Sequence, residues 1–286
     1  MLSLGSKRAH DVPMAHSIVP DQTEALATGW EPELPPSDTL VRKAVLVHAS
    51  WALAVAKSLG NPARRTDRWS GGLVGRRGEL TNPVVVTQPM DAAGFAEVLP
   101  EVAAVLPADV PFFLLSPFPT PDLRGHGLVR IGHPPLMVRF PGGENPRRRA
   151  GIQVREVSDA DDLAIAERVL VDGYPMPDLQ PLTPGDILAP PILDGPTRIW
   201  MASLDGEPAA VAAAHVAADA ILVEYVAALP AGRGRGAAAA ATWAATLCEP
   251  ALPAVLIASD DGRPLYERMG YVAIERWTAW IRPRSR

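Results

Sequence analysis

The 286-residue sequence holds a single cysteine, Cys248. That excludes an internal disulfide framework and any cysteine-based zinc site. Its place in the apolar helical stretch Trp243–Cys248 reads as a buried structural thiol. Lysine is almost missing, with Lys7, Lys43 and Lys57 against 24 arginines, so an isolated surface arginine signals little. There is no positive excess: the formal net charge is −5, which disfavours a nucleic-acid binder with a broadly basic face. No stretch approaches the ~18 apolar residues of a membrane span. Residues 1–14 carry no apolar run long enough for a signal peptide. The expectation from these absences is a soluble, cytoplasmic chain with no metal, nucleic-acid or membrane partner.

What is present is an ordinary globular balance, 48% hydrophobic and 21% charged. Proline, at 31 residues, is about twice its usual ~5% share and disfavours long uninterrupted helices. At roughly 100–200 residues per domain the length suggests two domains. Residues 1–37 are polar, Pro-containing and aperiodic, and read as a tail or extended arm. Residues 38–142 form a first domain: a helix from about Thr39 to Leu59 capped by Ser37 or Asp38, a strand Pro83–Thr87, a helix from Asp91 to about Leu106, a strand Phe112–Leu115, and turn-bounded segments 127–132 and 135–139. The Pro/Gly/Arg-rich run Pro141–Arg149 is the linker. Residues 150–286 form the second domain. It has strands at Ile152–Val157, Arg198–Leu204, Ala209–Val216, Ile221–Ala228 and Ala254–Ser259, with two more closing it at Tyr271–Ile274 and Arg276–Ile281. Helices start at Asp159, after Gly236 and at Arg263. Asp205-Gly206 is a hairpin signal. The fold class is therefore α/β, an α+β mixed sheet in two halves of similar length.

The sharpest chemical signal is Arg233-Gly-Arg-Gly-Ala-Ala238, directly after a strand and directly before a helix. Glycines let backbone approach a ligand closely. The unpaired N–H groups of the helix start, with its dipole, favour an anion there. This is the composition of a diphosphate cradle, and three types compete. A P-loop requires a lysine, and none is near. The dinucleotide fingerprint G-x-G-x-x-A matches Gly234, Gly236 and Ala239, but lacks its usual place after the first strand of a βαβ series. The pattern [Q/R]-x-x-G-x-[G/A] matches Arg233, Gly236 and Ala238. The similar run Arg68–Leu73 has no strong strand before it and no helical pattern after it, and reads as a decoy.

The arbiter lies downstream, in Ala258-Ser-Asp-Asp-Gly-Arg-Pro-Leu-Tyr-Glu-Arg-Met-Gly-Tyr271. Together with the glycine loop, this tyrosine on a short helix after the next strand closely resembles the GNAT superfamily of acyl-CoA-dependent N-acetyltransferases, over about residues 152–282. The whole chain resembles the two-domain actinobacterial type, tandem GNAT-like domains in which a degenerate N-terminal half packs on a C-terminal half with the intact acyl-CoA site. The resemblance implies that Val226, Ala227 and Ala228 lie on the splayed strand holding the pantetheine arm. It implies that Arg233, Gly234, Arg235, Gly236, Ala237, Ala238 and Ala239 hold the pyrophosphate, and that Tyr266 is the general acid. Ser259 stands where many members carry asparagine seven residues before that tyrosine, which puts the local coenzyme contacts in doubt. Tyr174 and Met176 fall where the family places its substrate-covering loop. The co-substrate implied is acetyl-CoA or another short acyl-CoA.

Amine attack on a thioester needs donors for the developing oxyanion, a proton for the leaving thiolate and a base for the ammonium proton. Glu224 is the sole carboxylate on the central strand, and strand alternation places it on the face of Val226 and Ala228. His215, on the preceding strand, is the second candidate base. Arg263 and Arg268 are candidates for the coenzyme 3′-phosphate; Arg139 and His133 are candidates to face the acceptor cleft. The function expected is N-acetylation of a small-molecule or peptide primary amine by direct attack in a ternary complex, by a monomer or homodimer. The alternatives are a non-catalytic acyl-CoA sensor or scaffold of the same fold, and a nicotinamide-dependent oxidoreductase.

Overall fold

A computed structural model describes residues 39–284 apart from 145, 147, 148 and 175. The expected tail 1–37, and both expected caps Ser37 and Asp38, lie outside them. The described residues fall within one compact unit, Pro35–Arg286.

The first half begins with α1 (Leu40–Ser58), whose N-cap is Thr39, its hydroxyl accepting from the Arg42 N–H at 3.1 Å. Ten of its residues are buried, on more than one face, which is the mark of a helix packed between layers. Strands β1 (Ala63–Arg65), β2 (Trp69–Gly72) and β3 (Pro83–Val86), the helix α2 (Ala92–Val105) and strand β4 (Phe112–Ser116) follow. The β1–β2 hairpin was not legible in the sequence. Its turn is made by Thr66, whose hydroxyl accepts from the Arg68 and Trp69 N–H groups, and the suspected decoy at Arg68–Leu73 is largely the buried strand β2. Then come β5 (Val129–Gly132) and β6 (Pro135–Arg139).

The second half runs β7 (Ile152–Glu156), α3 (Ala160–Gly173), β8 (Thr197–Leu204), β9 (Glu207–Ala217), β10 (Ala220–Ala228), α4 (Ala237–Thr246), β11 (Ala254–Ile257), α5 (Arg263–Arg268), β12 (Val272–Arg276) and β13 (Thr278–Arg282). Asp159 caps α3, accepting from the Asp162 N–H.

Two mixed sheets result, in the orders β1-β2-β3-β4-β13-β5 and β12-β6-β11-β10-β9-β8-β7. Each has antiparallel strands leading to one parallel pair joined by a crossover helix: β3 to β4 through α2, β10 to β11 through α4. Neither sheet is built from one side of the Pro141–Arg149 linker alone. β6 pairs with β11 in the C-terminal sheet, and β13 pairs with β4 in the N-terminal one. The reason is a long antiparallel ribbon, in which β5 pairs with β13 and β6 with β12. Between those pairings the Trp277 N–H donates to the Pro134 carbonyl, and the Trp277 ring is wholly buried. In each sheet one ribbon strand is interior, β13 or β6, and its partner, β5 or β12, is the edge, so the ribbon ties the halves together.

The core of the second sheet lies under α4. Ala210, Ala212 and Ala214 of β9, with Ile221 and Val223 of β10, pack against Ala237, Ala240, Ala241 and Ala245. Small side chains on both sides bring the helix close to the sheet. Across the sheet, α1 packs on β9 and β10 while also packing on β2 and β3 of the other sheet.

Candidate functional site

The site is a parting of strands. β10 pairs with β11 only at Ile221–Ala254 and Leu222–Val255. The rest of β10, from Val223 to Ala228, makes no ladder with β11, so its backbone groups on that side have no strand partner. A parallel pair that separates midway leaves a wedge between strands, and α4 starts after that strand. Among the described residues Gly236 is the N-cap of α4, with φ 96° and no side chain capping the helix. Gly234 is also left-handed, at φ 69°, with open space where a side chain would stand. The first amides of α4 are thus uncapped by protein side chains, which suits an anionic ligand.

The arginines of this loop are engaged locally. Arg233 donates from Nε to the Ala228 carbonyl at 3.2 Å and from Nη2 to the Gly173 carbonyl at 3.0 Å. It therefore ties the end of β10 to the end of α3. Arg235 pairs with Asp205 at 3.0 Å. Arg149, which the motif reading did not include, donates to the Gly234 carbonyl, and its side chain lies beside Gly236. Ala237 is buried in the α4–sheet contact, with Ala238 at its margin and Ala239 half-buried.

A bulge alters the face of β10. Glu224 pairs with Ala213, yet Ala227 pairs with Val211, so two residues of β10, Tyr225 and Val226, stand opposite the single Ala212 of β9. Tyr225 takes φ 54° there. The expected alternation fails at this point: Glu224 is in phase with Ala227, not with Val226 and Ala228, because the extra residue reverses the phase. Val226 and Ala228 are partly buried against the α4 core.

On the opposite face from α4, Glu224 meets α1. Its side chain is 23% exposed, and Oε1 lies 3.9 Å from Nε2 of the wholly buried His48. Burial pushes the Glu224 carboxyl up to about 8, against a lowering backbone hydrogen bond at Tyr225. His215 is buried between Thr197 Oγ1 at 2.8 Å and Ser50 Oγ of α1 at 2.9 Å. Burial lowers it to about 4. With both ring nitrogens occupied and little affinity for a proton, His215 is a structural link between α1 and β9. Trp51 of α1 meets the Tyr225 ring edge-on at 5.5 Å.

Tyr266 lies on α5 and is 8% exposed, with its ring 5.9 Å from that of Tyr271 in an edge-on arrangement. Burial first, then the charges of Glu224 and Tyr174, push its phenol well above the ordinary tyrosine value. The phenol thus feels the Glu224 carboxyl and keeps its proton. The Ser259 hydroxyl accepts from the Gly262 N–H at 3.1 Å, and its carbonyl accepts from Arg263. Ser259 therefore organises the start of α5.

Tyr174 follows α3 and is 42% exposed; burial, Glu224 and Asp261 raise its phenol. Met176 is half-buried and its N–H donates to the Val171 carbonyl. The segment beyond is gripped by Glu167, a fully buried carboxylate accepting N–H groups of Gly185, Ile187 and Leu188 at 2.7–3.0 Å. Arg77 of the first half holds the same segment through Asp186 at 3.0 Å and the carbonyls of Gln180 and Pro181.

The other candidates make local contacts. Arg263 is committed to Glu267 at 2.7 Å. Arg139 donates to the Met269 carbonyl and lies over the Trp243 ring at 4.9 Å. The His133 carbonyl accepts from Arg276. Trp200 is buried, while Trp243 is half-buried under Arg139. Cys248 is half-buried, and burial pushes its thiol up to about 11, which suppresses the thiolate. Among the described residues no cluster of histidine, cysteine and carboxylates is placed to hold a metal, and no helix is long and apolar enough to cross a membrane.

No family model and no curated protein matches the sequence. Solved structures do match. A GCN5-related N-acetyltransferase from Kribbella flavida is 23% identical, with 82% of this chain and 95% of that chain covered and a TM-score of 0.56. A GNAT-family structure from Novosphingobium aromaticivorans, described as that of an acetyltransferase, is 20% identical over 82% and 99% of the two chains, with a TM-score of 0.51. A conserved protein of unknown function from Staphylococcus epidermidis is 13% identical over 78% and 94%, with a TM-score of 0.51. The mixed sheets, the crossover helices and these likenesses together give the chain the fold of the GNAT N-acetyltransferases.

Proposed function

We propose that the protein is an acetyl-CoA-dependent N-acetyltransferase, acting on a primary amine by direct attack, with its coenzyme site in the C-terminal half. The observation that carries this reading is the wedge between β10 and β11 beside the uncapped, glycine-started helix α4. The amides of Gly234 to Ala239 would hold the diphosphate, with Arg149 alongside. The backbone edge of Val226, Ala227 and Ala228, which has no strand partner on the β11 side, would bind the pantetheine amides and donate to the thioester oxygen as negative charge grows on it. Arg233 acts by fixing Ala228 against α3.

In the reaction, the amine nitrogen forms a bond to the acyl carbon and the carbon–sulfur bond breaks. Tyr266, held protonated, gives its proton to the departing sulfur and recovers one from solvent. Glu224 takes the proton shed by the amine nitrogen. A carboxyl titrating near 8 is poised for this work at slightly alkaline pH. Tyr174, Met176 and the segment held by Glu167 and Arg77 border the acceptor.

The N-terminal half, 38–142, is on this reading a GNAT-like half without a coenzyme site. Its crossover helix α2 starts on Asp91, whose carboxylate already accepts from the Gly94 N–H at 2.9 Å. An anion built in at that end opposes a diphosphate, and the residues between β3 and α2 include no glycine. This half instead contributes α1 and Arg77 to the acceptor side.

The test is thiol release from acetyl-CoA across a panel of amines, with Tyr266→Phe as control. Turnover with at least one amine, reduced in the variant, supports the enzyme. Tight coenzyme binding without thiol release for any amine would make the protein an acyl-CoA sensor, and protection from unfolding by NAD(P) in place of CoA would make it an oxidoreductase.

A further inference from the structure

Resting on the reading of Glu224 as the base, we propose that His48, carried by α1 from the N-terminal half, is a positioning residue for Glu224: its Nε2 accepts the hydrogen bond of the protonated carboxyl. The geometry is specific. His48 Nδ1 lies 2.7 Å from the Ala44 carbonyl, an acceptor only, so Nδ1 carries the hydrogen and Nε2 presents its lone pair. Nε2 is buried and has no hydrogen-bond partner. Such an orphan costs free energy, and Oε1 of Glu224 lies 3.9 Å from it. The His48 ring is fixed from behind by Trp277, with centroids 4.8 Å apart. Glu224 is the partner with freedom, being partly open to solvent. A small rotation of its side chain closes the hydrogen bond.

The surroundings leave His48 neutral. Burial, opposed by the Ala44 carbonyl and aided by His215, lowers it to about 4. The other titratable groups near the pair are His215 on β9, Tyr225 beside Glu224, Glu167 on α3, Tyr174 just after it, and Tyr266 on α5. Tyr225 and Tyr266 stay protonated, and Glu167 is saturated by three backbone N–H groups. On α1 itself, Lys43 faces Asp219 at 3.9 Å and Arg42 is buried more than a turn before His48. The consequence is chemical. When Glu224 receives the amine proton, the new O–H donates to Nε2, and the proton stays on the carboxyl. The protonated form is favoured, so Glu224 becomes a stronger base and keeps one orientation in the cleft.

The experiment reads the pair directly, without an acceptor. In protein carrying 15N-histidine and 13C-glutamate, the His48 Nε2 resonance should move as Glu224 loses its proton, and Glu224→Gln should abolish that movement. In His48→Phe the Glu224 carboxyl should titrate about one pH unit lower, with His48→Gln, whose amide oxygen can accept, restoring part of the shift. An Nε2 signal indifferent to Glu224→Gln, or a Glu224 titration unchanged in a folded His48→Phe protein, overturns the proposal. Since Glu224→Gln leaves α1 untouched, the first readout stands even where His48→Phe fails to fold. Absence of amine turnover by the wild type would instead remove the enzymatic reading, whatever the spectra show.

Discussion

Gly173, the last residue of α3, lies against the backbone of Ala228 so closely that a Cβ on it would stand 2.9 Å from the Ala228 carbonyl carbon and 3.0 Å from its nitrogen. Arg233 bonds both carbonyls, Gly173 and Ala228. A helix end, a strand end and the start of the glycine loop are therefore one contact.

Gly173→Ala should push α3 off β10, since the neighbour is backbone and cannot step aside. A loss of about 1–3 kcal/mol is expected from such overpacking, seen as a lower urea midpoint. Coenzyme affinity, measured by calorimetry, should fall further than in Gly60→Ala, a left-handed glycine remote from the wedge. Equal effects of the two on affinity would argue that Ala228 does not border the coenzyme.

Glu167 predicts a second behaviour. Its buried carboxylate is the shared acceptor for three N–H groups of the segment after α3. Glu167→Ala strands those groups and should cost about 3 kcal/mol or more. Arg77→Ala, which removes an exposed-side grip on the same segment, should cost about 1 kcal/mol or less. Limited proteolysis should cut first between residues 177 and 190 in both variants, and faster in Glu167→Ala.

The second sheet was legible from the sequence because its signals are local. Asp159, the Asp205-Gly206 turn and the glycines before Ala237 each act within a few residues. The helix α2 was legible for the same reason, through Asp91. What escaped depends on residues far apart in the chain. The exchange of β6 and β13 is decided by a ribbon pairing residues 129–139 with 272–282, and no local pattern announces which sheet an apolar strand joins. The bulge at Tyr225 leaves no composition signal, so alternation misplaced Glu224 relative to Val226. His48 read as one more helical position, since its significance arises only where α1 crosses β10.

The contrast between the two crossover helices is testable by exchange. Gly236→Asp places a carboxylate at the start of α4, as Asp91 does for α2. At φ 96° the backbone is left-handed, not extended as at Asp91, so the aspartate is strained and should cost about 1–2 kcal/mol of stability while the protein stays folded. Coenzyme affinity should drop by at least tenfold, from charge against the diphosphate. Asp91→Gly should leave that affinity unaltered. If Gly236→Asp binds CoA as the wild type does, the diphosphate is not held by α4.

Glu224, His48 and His215 give stability a pH dependence of opposite signs. Glu224 titrates near 8 in the fold against 4.5 in the unfolded chain. The folded state therefore binds the extra proton, and stability falls as pH rises from 4.5 to 8. His48 and His215 run the other way. Each titrates near 4 in the fold against 6.5 unfolded, so the unfolded chain binds more protons and stability falls as pH drops from 6.5 towards 4. Between 4.5 and 6.5 two histidines oppose one glutamate and stability rises with pH. Above 6.5 Glu224 alone remains, and stability declines towards 8. For these three groups the maximum lies near pH 6.5, with slopes of up to about 1.4 kcal/mol per unit and per group. Glu224→Gln should remove the decline on the alkaline side, becoming more stable than the wild type at pH 8.5 while losing amine acetylation. Urea unfolding at pH 5, 6.5 and 8.5 measures this, and a wild-type protein whose stability holds level from 6.5 to 8.5 would show that Glu224 ionises freely in the fold.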